Sequence, residues 1–316
     1  MANYLVTGAA GFIGSAVARR LVEQGHEVVT IDNLSTGFVE AIPPGVEFVK
    51  GDCHNRAIVA SLKRLRFKAI LHIAGQSSGE ISFDDPVYDL KSNTQSTLLL
   101  MALARESGCE RLVYASSMSV YGEQPDHPVS EEASTQPKSF YGVGKLASEH
   151  YLRVHQRHYG VPCTALRLFN VYGRGQNLDN LRQGMISIYL AQALRSRRIV
   201  VKGSPSRFRD FVHIDDVVDA FLAAADAGQP ELAVYNVASG RRTTVATLLE
   251  LLQGALPVPV PVEFGGSTPG DQFGLYGEVS KIRRELNWQP RVSLPDGLQR
   301  MVEAAISQDE PVLQSV

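Results

Sequence analysis

Short apolar runs alternate with longer amphipathic stretches over the first half of the chain. The apolar runs predict buried strands at residues 4–6, 27–31, 46–49, 69–73, 112–115 and 163–168. The stretches between them predict helices at residues 12–24, 55–65, 87–107 and 141–158. Such alternation is typical of a parallel sheet covered on both faces and joined by right-handed crossovers. We therefore expect an α/β fold, a Rossmann-type doubly wound parallel sheet.

The regular alternation stops near residue 170. A polar stretch at 173–184 comes first, and it is followed by an expected helix at 185–197, a strand at 199–201 and helices at 215–227 and 244–253. Open α/β sheets bind ligands in a crevice at the carboxyl ends of their strands. We therefore expect residues 1–170 to form the Rossmann domain, with segments near 203–240 returning to it. Residues 171–316 are expected to form mainly a smaller C-terminal α/β lobe that binds substrate.

Composition narrows the classes of function. The chain has 316 residues, of which 44% are hydrophobic and 20% charged, and its formal net charge is −2. Nucleic-acid-binding proteins usually carry a basic excess, so that class is disfavoured. The cysteines, Cys53, Cys109 and Cys163, are far apart and match no metal-ligand spacing, which favours a reducing compartment and no metal.

The chain also lacks sequence signals for export or membrane insertion. No apolar run approaches the roughly 20 residues that span a bilayer. The first residues run straight into an apolar strand and have no basic region or cleavage signal. We therefore expect a cytoplasmic protein that contacts no membrane.

A glycine pattern stands at the first strand–helix turn, where Gly8, Gly11 and Gly14 fall within residues 7–14. Glycines there let the chain turn and approach a pyrophosphate, which the N-terminus of the helix attracts. Asp32 ends the second strand, where an acid binds ribose hydroxyls and repels a 2′-phosphate. The pattern predicts NAD rather than NADP. Asp52, after the third strand, either meets the adenine ring or caps a helix.

Tyr141 and Lys145 are four residues apart, so a helix places both side chains on one face. Tyrosine is a weak base at neutral pH, because its free pKa is about 10. A neighbouring ammonium and a bound nicotinamide cation would favour the phenolate. Ser116 and Ser117 end the fifth strand, where an open sheet places its site. These residues together indicate acid–base chemistry beside a dinucleotide.

The sequence resembles a known family. This chain has the motifs of the extended short-chain dehydrogenases in their usual order. They lie at residues 7–14, Asp32, 51–52, 72–75, 116–122, 141–145, 167–173 and 209–216. Within that superfamily the chain is similar to the NAD-dependent sugar-nucleotide epimerases and dehydratases, most of all to UDP-hexose 4-epimerases acting on UDP-glucose or UDP-N-acetylglucosamine. The resemblance covers nearly the whole chain. It implies an NAD-dependent isomerase that inverts C4 of a nucleotide sugar through a transient 4-keto intermediate.

The resemblance also assigns site residues. It makes Ser117, Tyr141 and Lys145 catalytic, with Ser116 the less favoured of the two serines. The implied cofactor-binding residues are Gly8, Gly11, Phe12, Ile13, Gly14, Asp32, Asn33, Ser35, Thr36, Gly37, Asp52, Cys53, Ile73, Ala74, Gly75, Gln76, Asn93, Ser116, Tyr141, Lys145 and Phe169. The implied substrate-binding residues are Ser77, Ser117, Ser119, Tyr141, Asn170, Gln183, Met185, Val201, Arg209 and Asp271.

Particular roles follow from the resemblance for several of these residues. Asn93 would support the site through backbone and water, and Phe169 would lie near the nicotinamide. Asn170 would lie near the sugar diphosphate, which the Arg209 guanidinium would clamp. Asp271 would hold the nucleotide ribose. The family also pairs the helices expected at 87–107 and 141–158 across a dimer interface, so a homodimer is expected.

The reaction within the family depends on the residues after the catalytic serine. Dehydratases carry an Asp-Glu pair there and decarboxylases a Glu, whereas this chain has Met118 and Ser119. Neither is a useful acid or base at neutral pH. A 4-epimerase needs no further group, so it is the leading hypothesis. The alternatives are a UDP-glucuronate 4-epimerase, a 4,6-dehydratase, a 4-keto reductase and, more remotely, a regulatory protein that binds NAD without turnover.

Three positions leave the substrate open. Thr268 replaces an arginine that 4-epimerases usually have three residues before the aspartate matching Asp271. Arg174 replaces a proline that is common in the family. Leu275 matches the residue that sets the room for a 2-acetamido group, and its middling size fits either a hexose or an N-acetylhexosamine. A uronate also remains open.

Overall fold

The structure, a computed structural model, describes residues 1–228, 232–266 and 273–313, with side chains up to residue 307. Its strands are β1 (Asn3–Thr7), β2 (Glu27–Asp32), β3 (Val46–Lys50), β4 (Ala69–His72), β5 (Leu112–Ser117), β6 (Cys163–Leu168), β7 (Asn170–Tyr172), β8 (Ile199–Val201), β9 (Phe208–Arg209), β10 (Phe211–His213), β11 (Ala233–Val237), β12 (Thr243–Thr244) and β13 (Val262–Phe264). Its helices are α1 (Phe12–Glu23), α2 (Arg56–Ser61), α3 (Pro86–Leu90), α4 (Ser96–Glu106), α5 (Phe140–Tyr159), α6 (Met185–Ser196), α7 (Ile214–Asp226), α8 (Val245–Ala255), α9 (Ser280–Leu286) and α10 (Leu294–Leu313).

Seven strands form the central sheet in the order β3-β2-β1-β4-β5-β6-β11. Every neighbouring pair in this sheet is parallel. The chain runs outward from β1 to β3 and then returns to place β4 on the other side of β1, so the order reverses between β1 and β4. This confirms the predicted Rossmann-type doubly wound sheet, and it puts a ligand crevice at the carboxyl ends of β1 and β4.

Alternate residues of the strands face opposite layers of core. Tyr4 and Val6 of β1 belong to an apolar cluster with α1 and α7. Leu5, between them, belongs to a second cluster with α4 and the middle of α5. Strand side chains point alternately to the two faces of a sheet, so β1 is buried on both sides. Parallel sheets covered on both faces have such continuous apolar strands.

The second half of the chain adds a smaller lobe. Two parallel pairs, β7 with β10 and β8 with β13, and one antiparallel pair, β9 with β12, lie outside the central sheet. A third apolar cluster joins α6, α8 and α10 through residues such as Leu190, Leu248 and Leu298. In the described part of the chain, no helix is both long enough and apolar enough to cross a bilayer.

Two predicted helices differ in detail. The helix expected at 55–65 begins after Asn55, whose side chain accepts hydrogen bonds from the N–H groups of Ala57 and Ile58, but it ends at Ser61. Turns follow in which an N–H donates to the carbonyl three residues earlier, for example Leu62 N–H to the Val59 carbonyl. The helix expected at 87–107 is continuous from α3 to α4, with a π-helical turn over Lys91–Gln95.

Candidate active site

Two adjoining cavities open at the carboxyl ends of β1, β4 and β5. Their volumes are about 210 and 250 Å³. They share a wall formed by Phe12, Ile13, Ile73, Gly75, Ser77, Gln176 and Gln183. The two cavities therefore form one cleft at the point where the strand order reverses.

The first cavity includes the turn between β1 and α1. Gly8 has φ of 80°, a left-handed conformation that side chains disfavour. A Cβ at Gly14 would lie 2.1 Å from the carbonyl oxygen of Gly8, so only glycine lets α1 pack this closely. Gly11 is the N-cap of α1, and no side chain among the described residues caps this helix. Its first N–H groups and the positive end of its dipole are placed to bind a pyrophosphate.

Asp32 lines the same cavity at the end of β2. Its carboxylate is fixed by two backbone donors, the N–H of Ala10 at 3.0 Å and the N–H of Leu34 at 2.8 Å. Leu34 has φ of 60°, so the chain turns sharply behind the carboxylate. A buried, fixed negative charge at this place suits ribose hydroxyls and disfavours a 2′-phosphate.

Asp52 also lines the first cavity, and it does not cap α2. That alternative is wrong, because Asn55 is the N-cap. Instead Asp52 Oδ1 accepts a hydrogen bond of 2.6 Å from the Asn33 side chain. Its contact with an adenine ring stays a prediction.

Tyr141 and Lys145 line the second cavity from the first turns of α5. Ser139 caps this helix by accepting a hydrogen bond from Gly142 N–H at 3.1 Å. The Lys145 ammonium donates to the carbonyl of Ala115 at 2.8 Å and lies 5.6 Å from the centre of the Tyr141 ring. The first turn of α5 and the end of β5 thus hold the two side chains side by side in the cleft.

Burial controls the charges of this pair. It raises the pKa of Tyr141 to about 12, while a hydrogen bond from Ser117 acts in the opposite direction. Burial also lowers the pKa of Lys145 to about 8. Desolvation therefore moves both groups toward their neutral forms. A cation bound beside Tyr141 would favour the phenolate. Tyr141 is therefore expected to act as a base when the cleft holds such a cation.

The two serines at the end of β5 face different groups. Ser116 Oγ donates to Glu149 Oε1 at 2.5 Å, and Glu149 also forms a buried ion pair with Arg167. Ser117 Oγ instead interacts with Tyr141 and lies 3.1 Å from Ser119 Oγ. The structure therefore places Ser117, and not the Ser116 hydroxyl, with the acid–base pair.

Comparison with known proteins identifies the family. The family described as "NAD dependent epimerase/dehydratase family" matches residues 4–238. The chain belongs to this family. It is 37% identical to the UDP-glucose 4-epimerase of Mycolicibacterium smegmatis over 308 residues, which cover 95% of this chain and 97% of the relative.

Solved structures agree with that assignment. The UDP-glucose 4-epimerase of Thermotoga maritima, solved with UDP-glucose, superposes with a TM-score of 0.93 at 33% identity and covers 97% of this chain and 99% of its own. The UDP-N-acetylglucosamine 4-epimerase of Methanobrevibacter ruminantium, solved with UDP-N-acetylmuramic acid, has a TM-score of 0.91 at 27% identity and the same coverage.

The cofactor of this protein is NAD. The described residues of the first cavity are of the kinds that bind it. The turn at Gly8 to Gly14 leaves space and backbone donors for a pyrophosphate, and Asp32 stands where a ribose binds. The first cavity is lined by most of the predicted cofactor residues, namely Gly8, Gly11, Phe12, Ile13, Gly14, Asp32, Asn33, Ser35, Thr36, Gly37, Asp52, Cys53, Ile73, Ala74 and Gly75.

The second cavity gathers the predicted catalytic residues with part of the predicted substrate set. It is lined by Ser116, Ser117, Ser119, Tyr141, Lys145, Phe169, Asn170 and Met185, and it shares Ser77 and Gln183 with the first. Asn170 is held by a hydrogen bond of 2.9 Å from its side-chain amide to the carbonyl of Asp210.

Four of the predicted residues that the structure describes line neither cavity. The side-chain amides of Gln76 and Asn93 both donate to Asp89 Oδ1, and that of Asn93 also donates to the Gln76 carbonyl. Val201 is fully buried in the apolar cluster of the lobe. Arg209 is buried and donates to the carbonyls of Phe208 and Phe273. Their contacts with ligands stay predictions.

The positions that left the substrate open have different surroundings. Thr268 and Asp271 lie outside the described residues. Arg174 is exposed, and Leu275 is buried with Phe169 in a small apolar cluster. These surroundings leave the choice between a hexose and an N-acetylhexosamine to experiment.

Several cavity residues were not predicted. Tyr88, Ser92, Gln176, Asn177 and Asn180 line the first cavity. The last three belong to the polar stretch after β7, which reaches across the cleft. Its end is fastened by hydrogen bonds from Arg182 to Asp84 at 2.8 Å and from Gln183 to Ser77 at 2.7 Å. The low apolar content of 173–184 was the available signal, but sequence spacing does not tell which side chains of a loop face a ligand.

Proposed function

We propose that this chain epimerises C4 of a UDP-linked hexose or N-acetylhexosamine through a transient 4-keto sugar. The observation that carries the proposal is the grouping of Ser117, Tyr141 and Lys145 in one cleft with the Gly8–Gly14 turn. The relatives named UDP-glucose 4-epimerase and UDP-N-acetylglucosamine 4-epimerase support the reaction and the nucleotide.

Each catalytic residue has a separate task in this proposal. Tyr141 takes the proton of the 4-hydroxyl and returns it after the sugar has turned over in the pocket. Ser117 hydrogen-bonds the same oxygen, because it already lies against Tyr141. Lys145 favours the Tyr141 phenolate and holds the nicotinamide ribose. The Gly8–Gly14 turn and Asp32 would hold NAD, which would supply hydride transfer from and back to C4.

Other residues of the cleft hold the substrate and cofactor. Asn170, Met185 and Gln183 contact the sugar diphosphate from the wall of the second cavity. Arg209 clamps the diphosphate, Asp271 holds the nucleotide ribose, and Val201 also belongs to the substrate-binding set. Residues 1–170, with segments near 203–240 returning to them, form the NAD-binding part, and residues 171–316 form mainly the substrate lobe. The packing supports this division, because α7 and β11 belong to the apolar cluster of the sheet, whereas α6, α8 and α10 belong to that of the lobe.

Dehydration is the less favoured reaction on this scaffold. It needs an acid and a base beside the ketone, and the two positions after Ser117 hold Met118 and Ser119. Met118 Sδ accepts a weak hydrogen bond from Asn170 at 3.6 Å, so its side chain serves as a neutral wall of the cavity. A reductase would consume external reduced cofactor, whereas epimerisation regenerates it.

The enzyme is further proposed to act as a cytoplasmic homodimer. Exposed apolar side chains form a stripe along α5, at Phe140, Val143 and Val154, each about half exposed or more. Val87 and Leu90 of α3 are also exposed. Clustered exposed apolar side chains mark contact surfaces, and two copies of the α3–α5 layer would cover these.

Proton NMR of three separate incubations tests the reaction. The purified protein receives UDP-glucose, UDP-N-acetylglucosamine or UDP-glucuronate without added NAD. We expect the 4-epimer in at least one of the first two tubes and no net reduced cofactor. Tyr141→Phe should lower turnover by ~10²–10⁴, the usual contribution of a positioned acid–base group. Tyr159→Phe, an exposed tyrosine at the end of α5, is the matched control.

Two outcomes of that experiment would overturn the proposal. Loss of water from the sugar would show a dehydratase. No conversion in any tube, even after NAD is added, would leave the family assignment intact but remove the 4-epimerase.

A further inference from the structure

Asp89 is a buried carboxyl group to which the roles above assign no task. It lies in α3, directly before the π-helical turn, and is 1% exposed. A buried carboxylate is costly unless hydrogen bonds and an opposite charge compensate it. Its partners therefore indicate what it does.

The carboxylate of Asp89 contacts residues that adjoin the lining of the cleft. Its Oδ1 accepts hydrogen bonds from the side-chain amides of Gln76 at 2.9 Å and Asn93 at 3.1 Å. Its Oδ2 faces α5, where a Cβ at Gly144 would lie 3.4 Å away. Gly144 directly precedes Lys145 in the chain. The carboxylate therefore lies close to α5 beside the residue that precedes Lys145.

The π-helical turn contributes to this arrangement. It includes Asn93, which follows Asp89 by four residues, and it also includes Thr94, whose hydroxyl donates to the Gly144 carbonyl at 3.2 Å. Extra backbone in a π turn shifts side chains relative to a regular helix, and such turns are frequent at functional sites. Here the turn directs two polar side chains of one helix toward Asp89 and α5.

The charged and titratable groups around Asp89 are few in the described residues. Lys145 and Tyr141 face it from α5, and its charge raises the pKa of both. Lys145 is also faced by His72 of β4 and by the Tyr114 ring of β5, 4.8 Å from the ammonium. Burial and then Lys145 lower the pKa of His72 to about 3, so this imidazole is neutral. Among the described residues, Asp89 is thus the negative group whose charge acts on Lys145.

We propose that Asp89 is a positioning residue that acts through Lys145: its carboxylate keeps the lysine ammonium charged in the buried site. It also holds Gln76 and Asn93 behind the cleft. Burial raises the pKa of Asp89, whereas Lys145 and the hydrogen bonds from Gln76 and Asn93 lower it. Once ionised, Asp89 and the Tyr141 phenolate balance Lys145 and a bound nicotinamide cation. This inference rests on the catalytic roles proposed above.

The replacement Asp89→Asn changes the charge and little else in shape. Without the negative charge, the Lys145 ammonium loses an opposite charge, so its pKa falls from about 8. The Tyr141 phenolate loses a repelling charge, so the pKa of Tyr141 falls too. Both limbs of the pH dependence of kcat are then expected to move to lower pH. A merely structural role would lower kcat and leave both limbs in place.

NMR titration of the Lys145 side chain in the purified holoenzyme is the test. Lysine labelled with ¹³C at Cε is followed against pH, and the signal is assigned with Lys145→Met. We expect Asp89→Asn to lower the pKa of Lys145 by roughly one unit, within the range caused by a neighbouring charge. Asp85→Asn, an exposed acid on the other side of Pro86, is the control and should leave it unchanged.

The result separates this inference from the proposed function. An unchanged or raised pKa of Lys145 in Asp89→Asn would overturn the role of Asp89, whatever the enzyme's activity. A lowered pKa in a protein that epimerises no sugar would support Asp89 and contradict the 4-epimerase. If Asp89→Asn does not fold, Asp89→Ser is titrated instead, with the same shift expected.

Discussion

Burial determines what Tyr141 needs before it can act as a base. With a pKa of about 12 in the chain alone, its hydroxyl stays protonated at neutral pH. Ser117 and Lys145 stand beside it, but Lys145 is itself shifted toward its neutral form by burial. Tyr141 is therefore expected to act as a base when the cofactor is bound, because a bound cation favours the phenolate. Sequence spacing predicted the pair, but the degree of burial required the fold.

The cofactor site depends on the absence of a Cβ atom at Gly14. In Gly14→Ala the new Cβ would meet the Gly8 carbonyl oxygen at 2.1 Å, so the turn must shift. Overpacking of this kind costs about 1–3 kcal/mol. We expect a lower melting temperature and little NAD in the purified protein, measured by a thermal scan and by the NAD released on denaturation.

Gly254→Ala in α8 is the control for that variant. No atom of the described residues lies within 4 Å of a Cβ there, and alanine favours the helix by about 0.5–1 kcal/mol. It should keep its NAD and melt slightly higher. A Gly14→Ala protein with normal NAD content would contradict the tight-turn account.

At the scale of elements, apolar periodicity predicted the long helices and buried strands but not local irregularities of the backbone. The strands β1 to β6 and the helices α1, α5 and α6 follow from apolar spacing, because burial on both faces leaves a continuous pattern. The π-helical turn at Lys91–Gln95 was not predicted, since it changes the backbone without changing the amphipathic pattern. β11 was expected only as part of a returning segment, because a five-residue apolar run does not specify its partner strand.

The exposed stripe on α5 carries the prediction of oligomeric state. Val154→Asp places a charge where 65% of an apolar side chain is exposed, and an interface cannot easily bury an unpaired carboxylate. By size exclusion with light scattering, we expect the unmodified protein at about twice 34.5 kDa and the variant at a single chain's mass. Val258→Asp, equally exposed but far from the stripe, should remain dimeric.

An unmodified protein that runs as a single chain at micromolar concentration would contradict the dimer. So would a Val154→Asp variant that keeps the full dimer mass.

On the scale of the whole molecule, the site is assembled from segments far apart in the chain. The glycine turn, the end of β5, the start of α5 and the loop after β7 meet only because the sheet order reverses beside β1. Motifs predicted the first three. Asp89 and Gln176 were missed, since a buried acid inside an amphipathic helix and a loop amide have no sequence pattern of their own. Asp271, which was also predicted, lies outside the described residues.

The fate of hydrogen at C4 tests the central claim most directly. UDP-glucose carrying deuterium at C4 is incubated with the protein in ordinary water, and the product is examined by proton and deuterium NMR. Transient oxidation at C4 predicts UDP-galactose that keeps its deuterium at C4, because the same hydride returns to the other face. Deuterium at C6 with loss of water, or exchange of the label with solvent, would contradict the account.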